Sequence, residues 1–500
     1  MWLSTAEQMR EIDRRAMEAG IPGVALMEAA GIFAAGVAET MLDRQGLIIV
    51  VCGPGNNGGD GWVVARHLAA RGHGVLVISV VDPRKLQGEA SGQFQAARGA
   101  GIKWQRWQQG KLPEAVLIVD ALLGTGAEGA PRSPMDEVIR DINEHSAPVL
   151  ALDIPSGLPA DGQPPNWPVI KADATATFGL AKVGLFAGAG LTHAGVVHVD
   201  PIGITSELLN ETGIMLNTDK HAARGLPARR RNSHKGDYGH GLLLAGSKGM
   251  SGAALLAGEA ALRSGLGLLS VAAPEDTAAI VTGNLAEALT VPLPQTDSGA
   301  ACCAGCELDE RIKRCAAAAA GPGLGTDKAT LPCIQALLAS DLPLVLDADA
   351  LNLLAPGLPA RSASLVVTPH PGEMARLLGT EIDLVTANPL AAASRAADEW
   401  KCVVVLKGAV SWIAQPGGPV VVNTTGNDGL ATGGSGDVLT GLLLGLMAQK
   451  VPAFPAAVTA CWLLGRSAEL AKEKLGTASQ LPSDAINFLP AAWLQLAERV

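Results

Sequence analysis

Aromatic residues are scarce in this chain of 500 residues: one Tyr, 6 Phe and 9 Trp, or 3% of positions. Its apolar mass must therefore be Ala, Val, Leu and Ile. A basic excess is also lacking. With 38 Lys+Arg against 48 Asp+Glu the formal net charge is −10, and the isoelectric point is near 5.4. That balance argues against a general nucleic-acid binder, which needs a basic field to neutralise phosphates. Eight Cys are too few for a disulfide scaffold. Four of them, Cys302, Cys303, Cys306 and Cys315, cluster, and Cys303 and Cys306 form a lone C-x-x-C. With no second C-x-x-C and no His nearby, loop thiols are expected, and a zinc site is the lesser alternative.

Long hydrophobic runs are missing as well. A bilayer-spanning helix needs about 20 apolar residues. The best stretches, residues 438–449 and 451–465, are separated by Lys450, and Pro452 and Pro455 break the second. The start, MWLSTAEQMREIDRR, is charged and has no apolar leader run, so a cytoplasmic protein that engages no membrane is expected. What is abundant is hydrophobic residues at 48%, a mean hydropathy of +0.26, and 60 Gly with 31 Pro. The first two argue against disorder. The glycines follow no G-X-Y period, so they belong to turns and close backbone approaches, as in a chain with several phosphate-cradling loops.

Short β-rich runs alternate with Ala/Leu-rich helical stretches. The runs include residues 47–51, 74–81, 115–119, 148–152, 241–244, 342–346, 365–368 and 402–406. Runs apolar on both faces, alternating with helices, predict an α/β fold of parallel sheets covered on each side. The pattern lapses between Ile204 and Tyr238, which places a boundary near residues 215–225. Two three-layer domains follow, residues 1–215 and 222–500. The basic run at residues 229–231 is expected to be a solvated turn rather than a nucleic-acid patch. No internal repeat links the halves.

In the first half, VVCGPGNNGGDG (residues 50–61) follows a strand and precedes a helix. Glycines at such a turn let backbone amides approach a phosphate, and Asn56, Asn57 and Asp60 add side-chain polarity. Two further strand ends are polar: IVDALLGTGAEG, with Asp120 and a turn at Gly124 and Gly126, and LALDIPSGL, with Asp153 and Ser156. Ligands of open parallel sheets sit at the carboxyl ends of strands, so these loops should converge. Asn57, Asp120 and Ser156 offer hard oxygens suited to an alkali or alkaline-earth cation. Asp153 is a candidate acid/base, although each Asp alone also fits a turn or a cap.

The second half carries NTTGNDGLATGGSGDVLTGLLLGL (residues 423–446), a glycine run leading into a helix expected to begin with Asp437 and Val438. Amides of Gly434, Ser435 and Gly436 at that terminus would hold a phosphate. Asp437 is placed to exchange a proton with a substrate hydroxyl, as in phosphoryl transfer. The segments SKGMSGAALLAGEAALRSGLG, AAAAAGPGLGT, LVLDADALN, VVTPHPGEMARLL and VVVLKGAVS supply further loops. In them Lys407 is a point charge for phosphate, and His370 lies between two prolines, structural or functional.

In order along residues 1–210, GNNGGDG, DALLGTG, LDIPSG and FGLAKVGL resemble the epimerase domain of the bifunctional NAD(P)H-hydrate repair enzymes. Over residues 225–495, HKGDYGH, GMSGAA, GPGLG, LDADALN, TPHPGEM, LKGA and NTTGNDGLATGGSGD are similar to the family's ADP-dependent dehydratase domain, of the ribokinase-like superfamily. The resemblance implies a Rossmann-like domain that interconverts R and S hydrates of NADH or NADPH with bound potassium, then a domain that dehydrates the S hydrate. It implies nucleotide contacts from Asn56, Asn57, Gly58, Gly59, Asp60, Gly124, Thr125, Gly126, Ala127, Glu128, Gly129, Ala130 and Asp153. Asn57, Asp120 and Ser156 match the potassium ligands. In the second domain Ala253, Gly323, His370 and Asp437 would contact the hydrate. Lys407, Gly408, Ala409, Val410, Ser411 and Gly436 would hold ADP, with magnesium beside it. Two positions depart from the pattern: the usual LMENAG reads LMEAAG with Ala29, and Pro159 replaces an acidic residue after PSGL.

Chemically, Asp437 would act as base while the hydroxyl is phosphorylated by ADP. Phosphate then leaves more readily than hydroxide, expelled by the ring nitrogen. Asp153 fits the acid/base of epimerisation, and ring opening and closure would serve too. The rival readings are a vitamin kinase of the hydroxyethylthiazole type fused to a nucleotide sensor, and a first half that is a scaffold module as in messenger-RNA decapping enhancers. A homo-oligomer is the expected assembly, and small molecules are the expected partners.

Overall fold

The computed structural model describes residues 1–499 apart from 211, 304–307, 360 and 362–363. They form two compact units: residues 2–214, and residues 215–500 together with Met1.

The first unit is built on β1 (Leu47–Cys52), β2 (Gly74–Ser79), β3 (Lys103–Arg106), β4 (Leu117–Ala121), β5 (Val149–Leu152), β6 (Ala174–Phe178) and β7 (Val196–Asp200). All neighbours pair in parallel, in the order β3-β2-β1-β4-β5-β6-β7. The order reverses between β1 and β4, which is where doubly wound sheets open a ligand crevice. Strand residues alternate faces, and both faces here are apolar. Ile48 and Val50 pack into one core cluster, and Ile49 and Val51 into the other, so helices cover each side.

The helix after β1 spans Asn56–Ala70 and thus contains the NNGGDG run that was expected as a turn. Its glycines serve packing as much as ligand approach: a Cβ on Gly61 would meet Ala121 Cβ at 2.6 Å and Cys52 Sγ at 2.8 Å. Gly23–Thr40, which lies outside the two apolar stretches at residues 438–465, is long and apolar enough to cross a membrane. Ala30, Ala34, Ala35 and Ala38 of this helix are buried in the unit's core, which is reason enough for its composition.

The second unit has β8 (Ile214–Leu216), β9 (His240–Leu244), β10 (Leu268–Pro274), β11 (Ala288–Leu293), β12 (Ala317–Ala320), β13 (Leu344–Leu346), β14 (Leu365–Val367), β15 (Val403–Leu406), β16 (Ser411–Ala414) and β17 (Val420–Asn423), in the order β8-β17-β16-β15-β14-β13-β12-β9-β10-β11. The expectation of purely parallel sheets needs correction here. β15, β16 and β17 pair antiparallel, because the turn at Lys407–Val410 is too short for a crossover. β12 is the all-Ala run within AAAAAGPGLGT, a segment expected to be a loop.

The shortage of aromatics shows in helix packing. Helix Ser435–Ala448 lies against helix Ser251–Arg263 through Gly441, where a Cβ would meet the Ala257 carbonyl carbon and Ala260 Cβ, each at 2.9 Å. Gly441→Val is expected to lower the second unit's stability by about 1–3 kcal/mol, since the obstacle is backbone and an overpacked core cannot yield cheaply. Chemical denaturation followed through dehydratase activity checks this.

The cysteine expectation also changes. Cys303 is joined to Cys333, a residue outside the sequence cluster, while Cys302 and Cys315 are free thiols. Folding brings helix Leu331–Ala339 beside the 303 loop. Cys306 lies outside the described residues.

Candidate active sites

In the first unit the loops after β1, β4 and β5 meet in a cavity of about 530 Å³. Asn56, Asn57, Asp60, Gly124, Thr125, Gly126, Ala127 and Asp153 line it, as the sequence led one to expect. Gly124 must be small: a Cβ there would meet Asp153 Oδ2 at 3.2 Å and Asn57 Cβ at 3.3 Å. Gly58, Gly59, Glu128, Gly129 and Ala130 are not among the lining residues. Glu128 is on the surface, paired with Arg10 at 3.2 Å.

Asp153 follows β5 with φ of 64°, a left-handed conformation uncommon for a non-glycine residue. The loop is held there by the Asp153 amide, which donates to Ala176 O at 2.7 Å. Its Oδ2 accepts from the Thr125 amide at 3.2 Å and Thr125 Oγ1 at 3.0 Å, and its Oδ1 accepts from Lys182 Nζ. Lys182 is 1% exposed and also donates to Thr177 Oγ1 at 3.1 Å and Phe178 O at 2.9 Å. It lies within FGLAKVGL and is not among the site residues the sequence names. A lysine in an apolar strand-like run was the available signal.

Behind the cavity, Asp120 is fully buried. Its carboxylate accepts from Ser156 Oγ at 2.7 Å, the Ser156 amide at 2.8 Å and the Leu122 amide at 3.2 Å. Burial pushes its carboxyl up to about 6, against the pull of those bonds. Asn57 is 7% exposed, yet neither its Oδ1 nor its Nδ2 has a partner. A buried amide left without partners costs about 1–3 kcal/mol unless a ligand supplies them.

In the second unit the polar residues again stand at carboxyl ends of parallel strands: Gly321–Gly325 after β12, Asp347 after β13, His370 after β14 and Lys407 after β15. Asp347 is 1% exposed. It accepts from Lys407 Nζ at 2.6 Å and Thr440 Oγ1 at 2.8 Å. Burial alone would lower the Lys407 pKa, but Asp347, Glu373 and Asp437 outweigh it and keep the ammonium charged. Asp437 lies in the first turn of helix Ser435–Ala448, which begins two residues earlier than expected. Burial, with Asp347 and Asp349 adding to it and Lys407 opposing, pushes its carboxyl up to about 7.

The anion hole differs in detail from the expectation. The Ser435 amide donates to Thr432 O at 3.3 Å, so the open amides are those of Gly434, Gly436 and Asp437, with no acceptor among the described residues. Ser435 Oγ is buried and unpartnered beside them. A Cβ on Gly436 would stand 3.2 Å from Lys407 Nζ. Ala253 and Gly323 meet, since a Cβ on Gly323 would lie 2.9 Å from Ala253 Cβ. His370 also serves the fold. Its Nδ1 caps helix Pro371–Leu378 by accepting from the Gly372 amide at 3.0 Å, and its ring is half exposed. Gly408 and Ala409 are exposed in the β15–β16 turn. Asp347 and Asp349, within LDADALN, are site residues the sequence reading does not name, and Asp349 Oδ2 accepts from the Gly325 amide at 2.8 Å.

Two family profiles match the chain, one described as NAD(P)H-hydrate dehydratase over residues 241–491 and one as YjeF-related protein N-terminus over residues 23–184. The chain is 39% identical, over 520 aligned positions, to a bifunctional NAD(P)H-hydrate repair enzyme of Moorella thermoacetica, with 100% of this chain and 98% of that one covered. It belongs to this family. Among solved structures it is similar to an ADP/ATP-dependent NAD(P)H-hydrate dehydratase of Bacillus subtilis co-crystallised with ATP and Mg2+, at 34% identity and a TM-score of 0.50, over 57% of this chain and 100% of that chain. A ribokinase-like superfamily protein of Enterococcus faecalis matches at 26% identity and a TM-score of 0.51, over 58% of this chain and 98% of that chain. NAD(P)H-hydrate repair enzymes thus combine two α/β units here, the second ribokinase-like.

Proposed function

We propose that the chain repairs hydrated NADH and NADPH in two steps, with residues 1–215 interconverting the R and S hydrates and residues 222–500 dehydrating the S hydrate with ADP. Asp437 carries the second step, because its carboxyl stands among open helix-terminal amides beside Lys407. The amides and Lys407 bind the phosphate in flight, and ionised Asp437 takes the proton of the substrate hydroxyl as the phosphorus–oxygen bond forms. AMP departs. The ring nitrogen's lone pair then expels phosphate and restores the reduced ring. Asp347 orients Lys407 through their short ion pair. Ala253, Gly323 and His370 would contact the hydrate, and Lys407, Gly408, Ala409, Val410, Ser411 and Gly436 the adenine nucleotide.

Magnesium accompanies the nucleotide in this reading and would supply charge neutralisation at its phosphates, which would be its main ligands, because no group of three carboxylates among the described residues is placed to hold it. Potassium in the first unit is supported by the unpartnered amide of Asn57 and the hard oxygens of Asp120 and Ser156. Bound there, it supplies fixed positive charge for the anionic substrate. Potassium chloride is expected to raise the unfolding midpoint of the first unit above that in equimolar choline chloride, and Asn57→Ala to erase the difference. Equal midpoints would remove potassium from the reading. The proposed location is the cytoplasm, where NADH, NADPH and ADP occur together, and the proposed assembly is a homo-oligomer, to be checked by light scattering.

One assay tests the whole. ADP and magnesium are added to a mixture of R and S hydrates, and the return of reduced-nicotinamide absorbance is followed. Full recovery is expected. Recovery of the S share alone would sink epimerisation, and no recovery would sink dehydration. A stable phosphorylated product would favour a vitamin-kinase activity instead.

A further inference from the structure

Helix Ala6–Glu18 buries Met9, Ile12 and Ala16, a stripe at helical spacing. Asp13 lies on the edge of that stripe, four residues after Met9, and lines the same cavity as Asp153. It accepts no hydrogen bond from the described residues. Asp153, by contrast, accepts three, one of them from the buried ammonium of Lys182. The Lys182 ammonium and both Thr125 donors are aimed at the Asp153 carboxylate, whereas no donor among the described residues is aimed at Asp13. Epimerisation needs both things: a proton for the departing hydroxyl, and a negative charge near the ring once the hydroxyl has gone.

We propose that Asp13 is the proton donor of the epimerisation and that Asp153 is the carboxylate that stabilises the cationic ring formed when the hydroxyl leaves. The inference rests on the epimerase reading above. The bond between the hydroxyl oxygen and the ring carbon breaks with its electron pair going to oxygen. Asp13 protonates that oxygen, and water departs. The adjacent nitrogen's lone pair forms C=N, leaving a positive charge that Asp153 faces. Water then adds to the opposite face, the C=N pair returns to nitrogen, and the released proton passes through cavity water back to Asp13. Nothing is oxidised or reduced.

The remaining titratable groups lining the cavity are Arg10, Asp60, Glu89 and Lys182. Burial pushes the Asp13 carboxyl up to about 6, with Lys182 opposing and Asp153 adding to the rise, so it still holds protons near neutrality. Asp60 is the competing donor: 9% exposed, and raised by burial and by Asp153.

The test uses the full chain with pure R hydrate, ADP and magnesium, and measures R-to-S conversion in wild type, Asp13→Asn and Asp60→Asn from pH 5.5 to 8.5, about the Asp13 value. Dehydration of pure S hydrate in the same preparations reports folding. Wild-type conversion should fall as pH rises above about 6, as Asp13 loses its proton. Asp13→Asn should slow it about 100-fold and abolish that pH dependence, with KM little changed and S-hydrate dehydration intact. Conversion within twofold of wild type in Asp13→Asn would overturn the proposal. So would loss of the pH dependence in Asp60→Asn alone. If wild type itself leaves the R hydrate unconverted, the epimerase reading fails instead.

Discussion

Asp437→Asn is expected to slow dehydration of the S hydrate by about 10²- to 10⁴-fold, the usual contribution of a positioned general base, while KM for ADP stays close to wild type. The substitution is isosteric and preserves the first turn of helix Ser435–Ala448, so the nucleotide contacts proposed for Lys407 and the Gly436 amide should persist. The pH dependence follows from the same carboxyl. Burial, reinforced by Asp347 and Asp349, sets it at about 7. A base works only when ionised, so the wild-type rate should rise with pH through about 7 and then level off. The Asn variant should lack that rise. Stability runs the other way. A carboxyl raised in the folded state favours folding fully below its unfolded value and loses that advantage as pH climbs through the folded one. Asp437→Asn should therefore make the second unit more resistant to urea at pH 8 than wild type, although it destroys activity. A variant with near wild-type turnover would exclude the base role.

The second large effect is in the first unit. Lys182→Met should cost about 3–5 kcal/mol, the ordinary penalty for removing one partner of a buried ion pair. The side chains of Lys182 and Asp153 are only 1% and 14% exposed. Without the ammonium, the Asp153 carboxyl keeps only the two hydrogen bonds from Thr125. Combining Lys182→Met with Asp153→Asn should return much of the lost stability and none of the epimerisation, because the pair is then neutral but the negative charge facing the ring is gone. Urea unfolding of wild type and the two variants, followed through the first unit's tryptophans, decides this. A single-variant loss below 1 kcal/mol would show that water already supports the Asp153 carboxylate.

Legibility in the sequence followed chemistry that is local along the chain. The β-rich runs predicted from residues 47–51 and 365–368 are strands, because a segment apolar on both faces has no stable place except the middle of a covered sheet. The convergence of Asn57, Gly124 and Asp153 was legible for a related reason: residues after adjacent parallel strands share one edge. β12 was not legible, since an Ala run favours helix by propensity and becomes a strand here only between β9 and β13. The Cys303–Cys333 pairing escaped because the two thiols are 30 residues apart along the chain and meet only on folding.

By itself, then, the sequence determined the alternation of strands and helices, the strand-end loop that bears Asp153, the glycine run that leads into the helix of Asp437, and membership of a repair family through motifs of contiguous residues. Only the tertiary structure decided which charges confront one another. Lys182 reaches Asp153 from 29 residues away, and Lys407 reaches Asp347 from 60. Asp13, on a helix at the other end of the first unit's sequence, enters the same cavity as Asp153. Protonation states depend on burial and on neighbours brought together by folding, and no spacing along the chain encodes either.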